Sequence, residues 1–225
     1  VVEKIYKKKV MLLSIDDYYL SKKKRIELSK KVHPLLITRG VPGTHNIKKL
    51  KDHINQFIQN RYPIKTLTFD KLTDDVSNKR RIIKNADILL LEGWCCGSKP
   101  ITNKYLHKNI NDLERRLDNK NIWRNYYNSF LKKEYSEIFS KFEKKIYVKP
   151  PSFIHILEWR YKQEKQNALI KKRKNFMSKK ELKNFIQHYE KQTRWMMKTM
   201  PAEASMVIKI DKNQKIENII KTDNY

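Results

Sequence analysis

The stretch Val10-Met11-Leu12-Leu13-Ser14-Ile15-Asp16-Asp17-Tyr18-Tyr19-Leu20 decides how this chain is read. Its first four residues are all apolar, the pattern of a strand buried on both faces in a parallel sheet. The run stops at Ser14, and two adjacent carboxylates, Asp16 and Asp17, stand where the strand ends. In open α/β sheets, ligands bind in the crevice outside the carboxyl ends of the strands. Two neighbouring acids repel one another there unless a metal, a base or a substrate proton relieves them. The stretch is therefore read as the chemical centre.

Outward from it, other segments repeat the pattern of an apolar run closed by charge. Ala86–Leu91 ends in Glu92-Gly93-Trp94, and the short strand Thr66–Phe69 ends in Asp70-Lys71. Lys145–Val148 is a further strand, closed by Pro150-Pro151, and Met206–Ile210 with Ile216–Ile220 reads as a closing hairpin around Asp211-Lys212-Asn213. Between them lie helical segments: the end of one at Lys4–Lys9, a charged one at Lys22–Val32, and a long tract from Phe153 to Lys174. A further helix has Ile47, Leu50, Ile54, Phe57 and Ile58 at helical spacing, with Thr44 or Asn46 as its cap. Ser178 with Glu181 forms a capping box for a last helix reaching about Met200. Strands alternating with helices predict an α/β fold with a mostly parallel sheet, and with no repeat or linker one domain over residues 1–225 is expected.

Composition narrows the class. With 225 residues, 39% hydrophobic and 11% aromatic, the chain can bury a sizeable core. The net charge of +27, from 51 Lys and Arg against 24 Asp and Glu, suits a nucleic acid, an anionic membrane surface or an acidic substrate. The excess is spread along the whole chain, so it is read as lysine-rich bias plus a phosphorylated ligand, ahead of a nucleic-acid partner. Cys95 and Cys96 are adjacent, which rules out a long-range staple between them and lacks zinc spacing; a reducing cytoplasm follows. No apolar run approaches the roughly 20 residues that span a bilayer. The six histidines show no metal-ligand spacing, and the four tryptophans read as core or interface.

The chemistry concentrates at three strand ends, Asp16-Asp17, Asp70-Lys71 and Glu92, expected along one edge of one sheet. A carboxylate after a buried strand can act on magnesium in the Walker-B manner, and a second one nearby can take a hydroxyl proton as general base. Lys71 and Arg39 offer positive charge to a carboxylate or phosphate. The loop Thr38-Arg39-Gly40-Val41-Pro42-Gly43-Thr44-His45-Asn46 holds two glycines and a proline in nine residues, which fixes an unusual backbone shape.

Ser14–Leu20 (Ser-Ile-Asp-Asp-Tyr-Tyr-Leu), Arg39–His45 (Arg-Gly-Val-Pro-Gly-Thr-His), Phe69–Lys71 and Leu91–Gly97 (Leu-Glu-Gly-Trp-Cys-Cys-Gly) resemble the D-glycerate 3-kinase family. That family belongs with the uridine kinase, phosphoribulokinase and pantothenate kinase group of P-loop kinases. Asn111–Glu114, Trp123-Arg124, Pro151–Phe153, Trp159–Glu164 and His188–Glu190 through Trp195 to Pro201 extend the resemblance over nearly the whole chain. It implies a P-loop NTPase-like three-layer sandwich, ATP and Mg2+ as cofactors, and phosphoryl transfer to the hydroxyl of a small hydroxy acid, most closely D-glycerate. By matching position, Asp16 is the general base, with Asp17 beside it helping to hold magnesium or substrate. Glu92 is the acid of the Walker-B-like strand and a metal ligand. Arg39, Gly40, Gly43, Thr44 and His45 line the acceptor pocket, and Lys71 meets the glycerate carboxylate or the transferring phosphoryl group. Arg160 sits where a lid-like helix, within the helical residues 153–200, brings a guanidinium to the phosphates; the competing reading is a packed helix residue.

The sequence also departs from the family. Asn46 stands where an Asp usually follows the Thr-His pair, and Val76 where an Arg often follows Asp74-Asp75. No Gly-x-x-x-x-Gly-Lys-Ser/Thr occurs, and the four glycines are Gly40, Gly43, Gly93 and Gly97. The reading is of a chain truncated at its N-terminus, lacking the first strand and the phosphate-cradling loop, and expected to bind ATP poorly by itself. Two alternatives stay open: a non-catalytic nucleotide-binding relative, and a basic nucleic-acid-binding protein on a degenerate kinase fold. The latter would use Lys7–Lys9, Lys22–Arg25 and Lys171–Lys174 as phosphate contacts.

Overall fold

The computed structural model describes residues 2–170 and 177–222, so the basic cluster Lys171–Lys174 and the end of the tract drawn to Lys174 lie outside the described residues. The chain divides into two compact units, each drawing on two separate stretches: Val1–Cys96 with Ile122–Phe139, and Gly97–Asn121 with Ser140–Tyr225. The first stretch runs α1 (Val2–Tyr6), β1 (Val10–Ser14), α2 (Lys22–Lys31), α3 (Ile47–Ile58), β2 (Ile64–Thr66), β3 (Phe69–Asp70), β4 (Asp75–Val76), β5 (Arg81–Ile83) and β6 (Ile88–Glu92). The second unit begins with α4 (Asn103–His107) and α5 (Asp112–Leu117). The chain then returns to the first with α6 (Ile122–Phe130), a π-helical turn over Leu131–Tyr135 and α7 (Ser136–Phe139). β7 (Ile146–Lys149), α8 (Phe153–Ile170), α9 (Lys179–Glu203), β8 (Met206–Ile210) and β9 (Ile216–Lys221) complete the second.

In the first unit β1 and β6 pair in parallel, with Val10 opposite Ile88 and Ser14 opposite Glu92. Their acid-bearing ends therefore lie at one edge. The expectation that β1 is buried on both faces does not hold. Met11 and Leu13 are fully buried, but Leu12 is 47% exposed and its register partner Leu90 is 42% exposed. An all-apolar run states that either face can be covered; which face is covered depends on what packs there.

The predicted strand Thr66–Phe69 is two strands. β2 pairs antiparallel with β5, and β3 pairs antiparallel with β4. Asp70 accepts from the Leu72 amide at 2.8 Å and turns the chain, so it starts a tight loop. Of the three acid clusters expected on one sheet, only those of β1 and β6 share one. Across the described residues, parallel pairing joins β1 to β6 and β7 to β8, and the other pairs are antiparallel.

Helix α3 follows from its sequence. Asn46 caps it by accepting from the Lys49 amide at 3.1 Å, and Ile47, Leu50 and Ile54 form the buried stripe. Thr44, the other candidate cap, is used inside the preceding loop. Seven of the ten residues of helix α2 are charged, and one of them, Arg25, is buried. Its guanidinium donates to the carbonyls of Leu20, Ile37 and Asp74 and pairs with the Asp74 carboxylate at 2.8 Å. An arginine with that many partners is affordable inside, where an unpaired charge would not be.

The second unit has a three-stranded sheet, β7–β8–β9, in which β8 and β9 form the predicted closing hairpin. Its core joins Tyr147, Met196, Met200, Ala204 and Val207. Residues 153–200 hold the two helices that their sequence predicts, and Ser178 with Glu181 makes the capping box that starts α9. Lys191 on α9 is buried against Glu114 of α5 at 3.2 Å and also donates to the carbonyls of Tyr105 and Lys108. Asn111 caps α5 while Glu114 accepts from the Ile110 amide, which gives the Asn-Asp-Leu-Glu motif a structural purpose. Among the described residues no helix is long and apolar enough to cross a membrane.

Candidate active site

Beyond Ser14 the chain tightens into a 3-10 turn over Ile15–Tyr18. Ile15 and Tyr18 face inward and anchor the turn, which turns Asp16 and Asp17 toward the half-buried rim. The Tyr18 hydroxyl lies 2.8 Å from Nδ1 of buried His53 on α3. Backbone bonds then join this turn to the glycine-proline loop: Leu20 N–H to Thr44 O at 2.8 Å and Asn46 N–H to Tyr18 O at 2.6 Å. The acidic turn and the Thr-His segment are thus one substructure.

Each oxygen of Asp16 has one donor. Oδ1 accepts from the Tyr19 hydroxyl at 2.6 Å and Oδ2 from Lys71 Nζ at 2.7 Å. Burial alone would raise its pKa, but the bonds from Lys71 and Tyr19 and the Lys71 charge outweigh that and hold Asp16 below the usual carboxylate range. Asp17 is engaged differently: it accepts from the Phe69 amide at 3.2 Å and from Arg81 at 3.2 Å. It ties the β3 segment to β1, and the same Arg81 nitrogen also donates to Leu12 O. Glu92, at the end of β6, is exposed, and its side chain makes no hydrogen bond or ion pair among the described residues.

The loop residues divide into builders and liners. Thr44 is fully buried; its hydroxyl donates to Val41 O at 2.7 Å and accepts from the Gly40 amide at 3.0 Å, so it shapes the loop. Gly43 has φ +87°, and a Cβ there would stand 2.7 Å from a Tyr126 ring carbon. Arg39 lies over the rings of Tyr19 and Phe69, 5.9 and 5.6 Å from their centroids, and pairs with Asp74. His45 packs against Tyr19 with ring centroids 4.8 Å apart, and its Nδ1 lies 2.6 Å from the Tyr135 hydroxyl. Burial pushes its pKa down to about 4 despite the nearby Asp16 charge, so the imidazole is neutral.

The structure therefore brings Asp16, Asp17, Lys71, Arg39 and His45 together on one substructure, with Glu92 at the neighbouring strand end. Arg160 belongs to the second unit, where Gln163 and Glu164 of its own helix hold its guanidinium at 2.5 and 3.2 Å. Cys95 is buried and Cys96 half-buried, and desolvation raises both thiol pKa values, Cys95 to about 12, which leaves neither as a ready nucleophile. Three contributors escaped the sequence reading: Arg81 in a basic run that looks solvated, Asp74 as the partner of Arg25 and Arg39, and Tyr135, 90 positions from His45.

No cluster of three or more His, Cys, Asp or Glu side chains among the described residues is arranged to hold a metal ion. Magnesium at kinase sites needs less, one or two carboxylates with substrate phosphates completing the shell. Glu92, unpaired at a strand end, fits that demand. Asp17 already accepts from Arg81 and from the Phe69 amide, one on each oxygen, and would share the remaining lone pairs with a metal.

No protein-family model matches the chain. Among curated proteins it is 26% identical over 192 residues to the uncharacterized kinase mug58 of Schizosaccharomyces pombe, covering 80% of this chain and 67% of that one. It is 31% identical over 137 residues to the probable ATP-dependent kinase TDA10 of Saccharomyces cerevisiae, covering 52% of this chain. The chain spans about half, 47%, of the length of that relative. Among solved structures, a D-glycerate 3-kinase from Cryptococcus neoformans var. grubii superposes with a TM-score of 0.80 at 18% identity, over 98% of this chain and 82% of that one. The YGR205w protein superposes with a TM-score of 0.75 at 24% identity, over 97% of this chain and 80% of that one.

The chain is thus an α/β protein whose curated relatives bear kinase names and whose fold is shared with a solved D-glycerate 3-kinase. It resembles the D-glycerate 3-kinase family in its motifs and in its fold.

Proposed function

We propose that this chain carries the acceptor side of an ATP-dependent kinase acting on the hydroxyl of a small hydroxy acid, D-glycerate being the favoured substrate. The observation that carries the reading is the Asp16–Lys71 pair at 2.7 Å. It places an ionised carboxylate beside a cation on the substructure built by the Pro-Gly-Thr-His loop.

Asp16 is assigned as general base. As the acceptor oxygen bonds to the terminal phosphorus of ATP and the bond from that phosphorus to the ADP oxygen breaks, the hydroxyl proton passes to Asp16. A base of low pKa suffices, because phosphoryl transfer depends mostly on positioning and on stabilising charge. Lys71, 60% exposed, can exchange its bond to Asp16 for the acceptor's carboxylate, which leaves Asp16 free to meet the hydroxyl. Arg39 and His45 complete the acceptor surface, and Thr44 with Gly40 and Gly43 fixes its backbone. Asp17 anchors β3, and with it Lys71, to the end of β1. Glu92 is the residue that would hold magnesium or its water, and the ion would supply positive charge against the phosphates.

Incubation of the chain, joined to the phosphate-cradling loop that the family resemblance implies, with ATP, magnesium and D-glycerate, read by ADP release and by mass analysis of the phosphorylated acid, tests the assignment. Phosphoglycerate formation supports it. ADP release that D-glycerate does not stimulate, or none with any short hydroxy acid, would refute it.

A further inference from the structure

His45 Nε2 is buried and has no hydrogen-bond partner. The other ring nitrogen, Nδ1, is 2.6 Å from the hydroxyl of Tyr135, a side chain with no solvent exposure. The Tyr135 oxygen already accepts from the Gly43 amide at 3.2 Å. A phenol has one proton to give, and leaving it without an acceptor in the interior costs about 1–3 kcal/mol. Nδ1 is the acceptor within reach. If it takes the Tyr135 proton, it cannot carry one itself, and in a neutral imidazole the single ring proton then sits on Nε2. The chain of bonds runs from Gly43 N–H to Tyr135 O–H to His45 Nδ1, and it ends in an N–H with nothing to bond to.

The position of that unused donor points to a ligand. Tyr19 packs on the His45 ring and donates its own hydroxyl to Asp16, so the imidazole and the assigned base share one aromatic neighbour. His45 also lines a cavity of about 420 Å³ with Leu20, Asn46, Ile47 and Phe130. Tyr135 ends the π-helical turn, and in α-helices such turns are found frequently at functional sites.

We propose that Tyr135 fixes His45 as the neutral Nε2–H tautomer, and that this N–H donates to an oxygen of the acceptor substrate. Tyr135 is then a positioning residue that acts through His45. The donor role rests on the kinase reading; the tautomer does not. A buried donor of this kind favours acceptors that bring an oxygen to it and rejects analogues that leave it unpaired.

The tautomer is read directly by long-range 1H–15N correlation spectra of 15N-labelled protein. The expected result is a His45 Nδ1 signal in the unprotonated range and an Nε2 signal in the protonated range. Protonated Nδ1 overturns the proposal. Tyr135→Phe keeps the ring that packs on Phe139 and removes only the hydroxyl. It should mix the two tautomers and lower kcat/KM for the acceptor about tenfold, with the KM for ATP unchanged. If that variant fails to fold, the wild-type spectrum alone decides the tautomer. Unchanged His45 signals in a folded Tyr135→Phe protein also overturn the proposal.

For the donor role, D-glycerate is titrated while the Lys71 side chain and the His45 Nε2–H are followed. Both should shift together. A Lys71 shift without a His45 shift overturns the donor role. D-glycerate that perturbs neither residue counts against the substrate reading and the donor role with it, while the tautomer result stands separately.

Discussion

Gly93 and Ile15 approach so closely that a Cβ on the glycine would lie 2.3 Å from Ile15 Cγ2. Gly93 also has φ +146°, a backbone shape that side chains rarely adopt. The contact joins the exit of β6, just past Glu92, to the turn that carries Asp16. Gly93→Ala should therefore push Ile15 out of place and destabilise the first unit by about 2–3 kcal/mol, read as a lowered urea midpoint. It should also disturb both acids at once. Wild-type stability in the variant would show that this approach does not constrain the site.

Asp16→Asn keeps the shape of the side chain and removes the base. Turnover should fall by about 10²–10⁴-fold with little change in the KM for ATP. The variant also leaves Lys71 without its anionic partner, so the KM for the acceptor is free to change. Steady-state kinetics in both substrates separate these effects, and retained turnover would remove Asp16 from the mechanism.

Arg81 holds Asp17, which in turn holds the Phe69 amide two residues before Lys71. Arg81→Ala should raise the KM for the acceptor several-fold by loosening Lys71, while the exposed position of Arg81 keeps the cost to stability within about 1 kcal/mol. The Asp17→Asn variant should behave similarly. If Asp17→Asn instead abolishes activity and higher magnesium restores it, Asp17 is a metal ligand rather than an anchor.

Acid should destabilise the first unit well above the range where its carboxylates titrate. His45 and His53 are buried, and burial brings each pKa to about 4, against 6.5 for the free side chain. Between those values the unfolded chain binds protons that the folded one does not, so stability rises with pH and is lost as pH falls from about 6.5 toward 4. The slope should approach about 1.4 kcal/mol per pH unit for each histidine. Asp16, with its lowered pKa, adds a loss of the same sign at still lower pH. Urea titrations at a series of pH values measure the slope, and a flat profile from pH 6.5 to 4.5 would contradict it.

In the second unit, removing one partner of the buried Lys191–Glu114 pair strands a charge. Lys191→Met should cost about 3–5 kcal/mol, and adding Glu114→Leu should recover much of it. A double-mutant cycle on thermal unfolding checks the coupling.

Much of this was legible in one dimension because the signals are local. Asn46 and Ser178 cap the helices that follow them through bonds spanning three residues. The 3-10 turn that presents Asp16 begins where the apolar run of β1 stops. The loop from Arg39 to His45 was readable as an unusual backbone because glycine and proline restrict or release φ by their own chemistry. What failed to show were pairings set by distance in space. Thr66–Phe69 reads as one strand because its residues suit a strand; that it splits depends on where β4 and β5 return. Leu12 reads as buried because it is apolar, and whether anything covers it depends on other elements.

The order of residues by itself determined the α/β alternation, the caps, the constrained loop and the presence of carboxylates at strand ends, since each depends on neighbours within a helical turn or a strand's length. Only tertiary structure decided which acid is paired and which is free. Asp16 meets a lysine 55 positions away, Asp17 an arginine 64 positions away, and Glu92 none among the described residues. The character of a carboxylate depends on the donors and charges within a few ångströms of it, and folding alone brings those together.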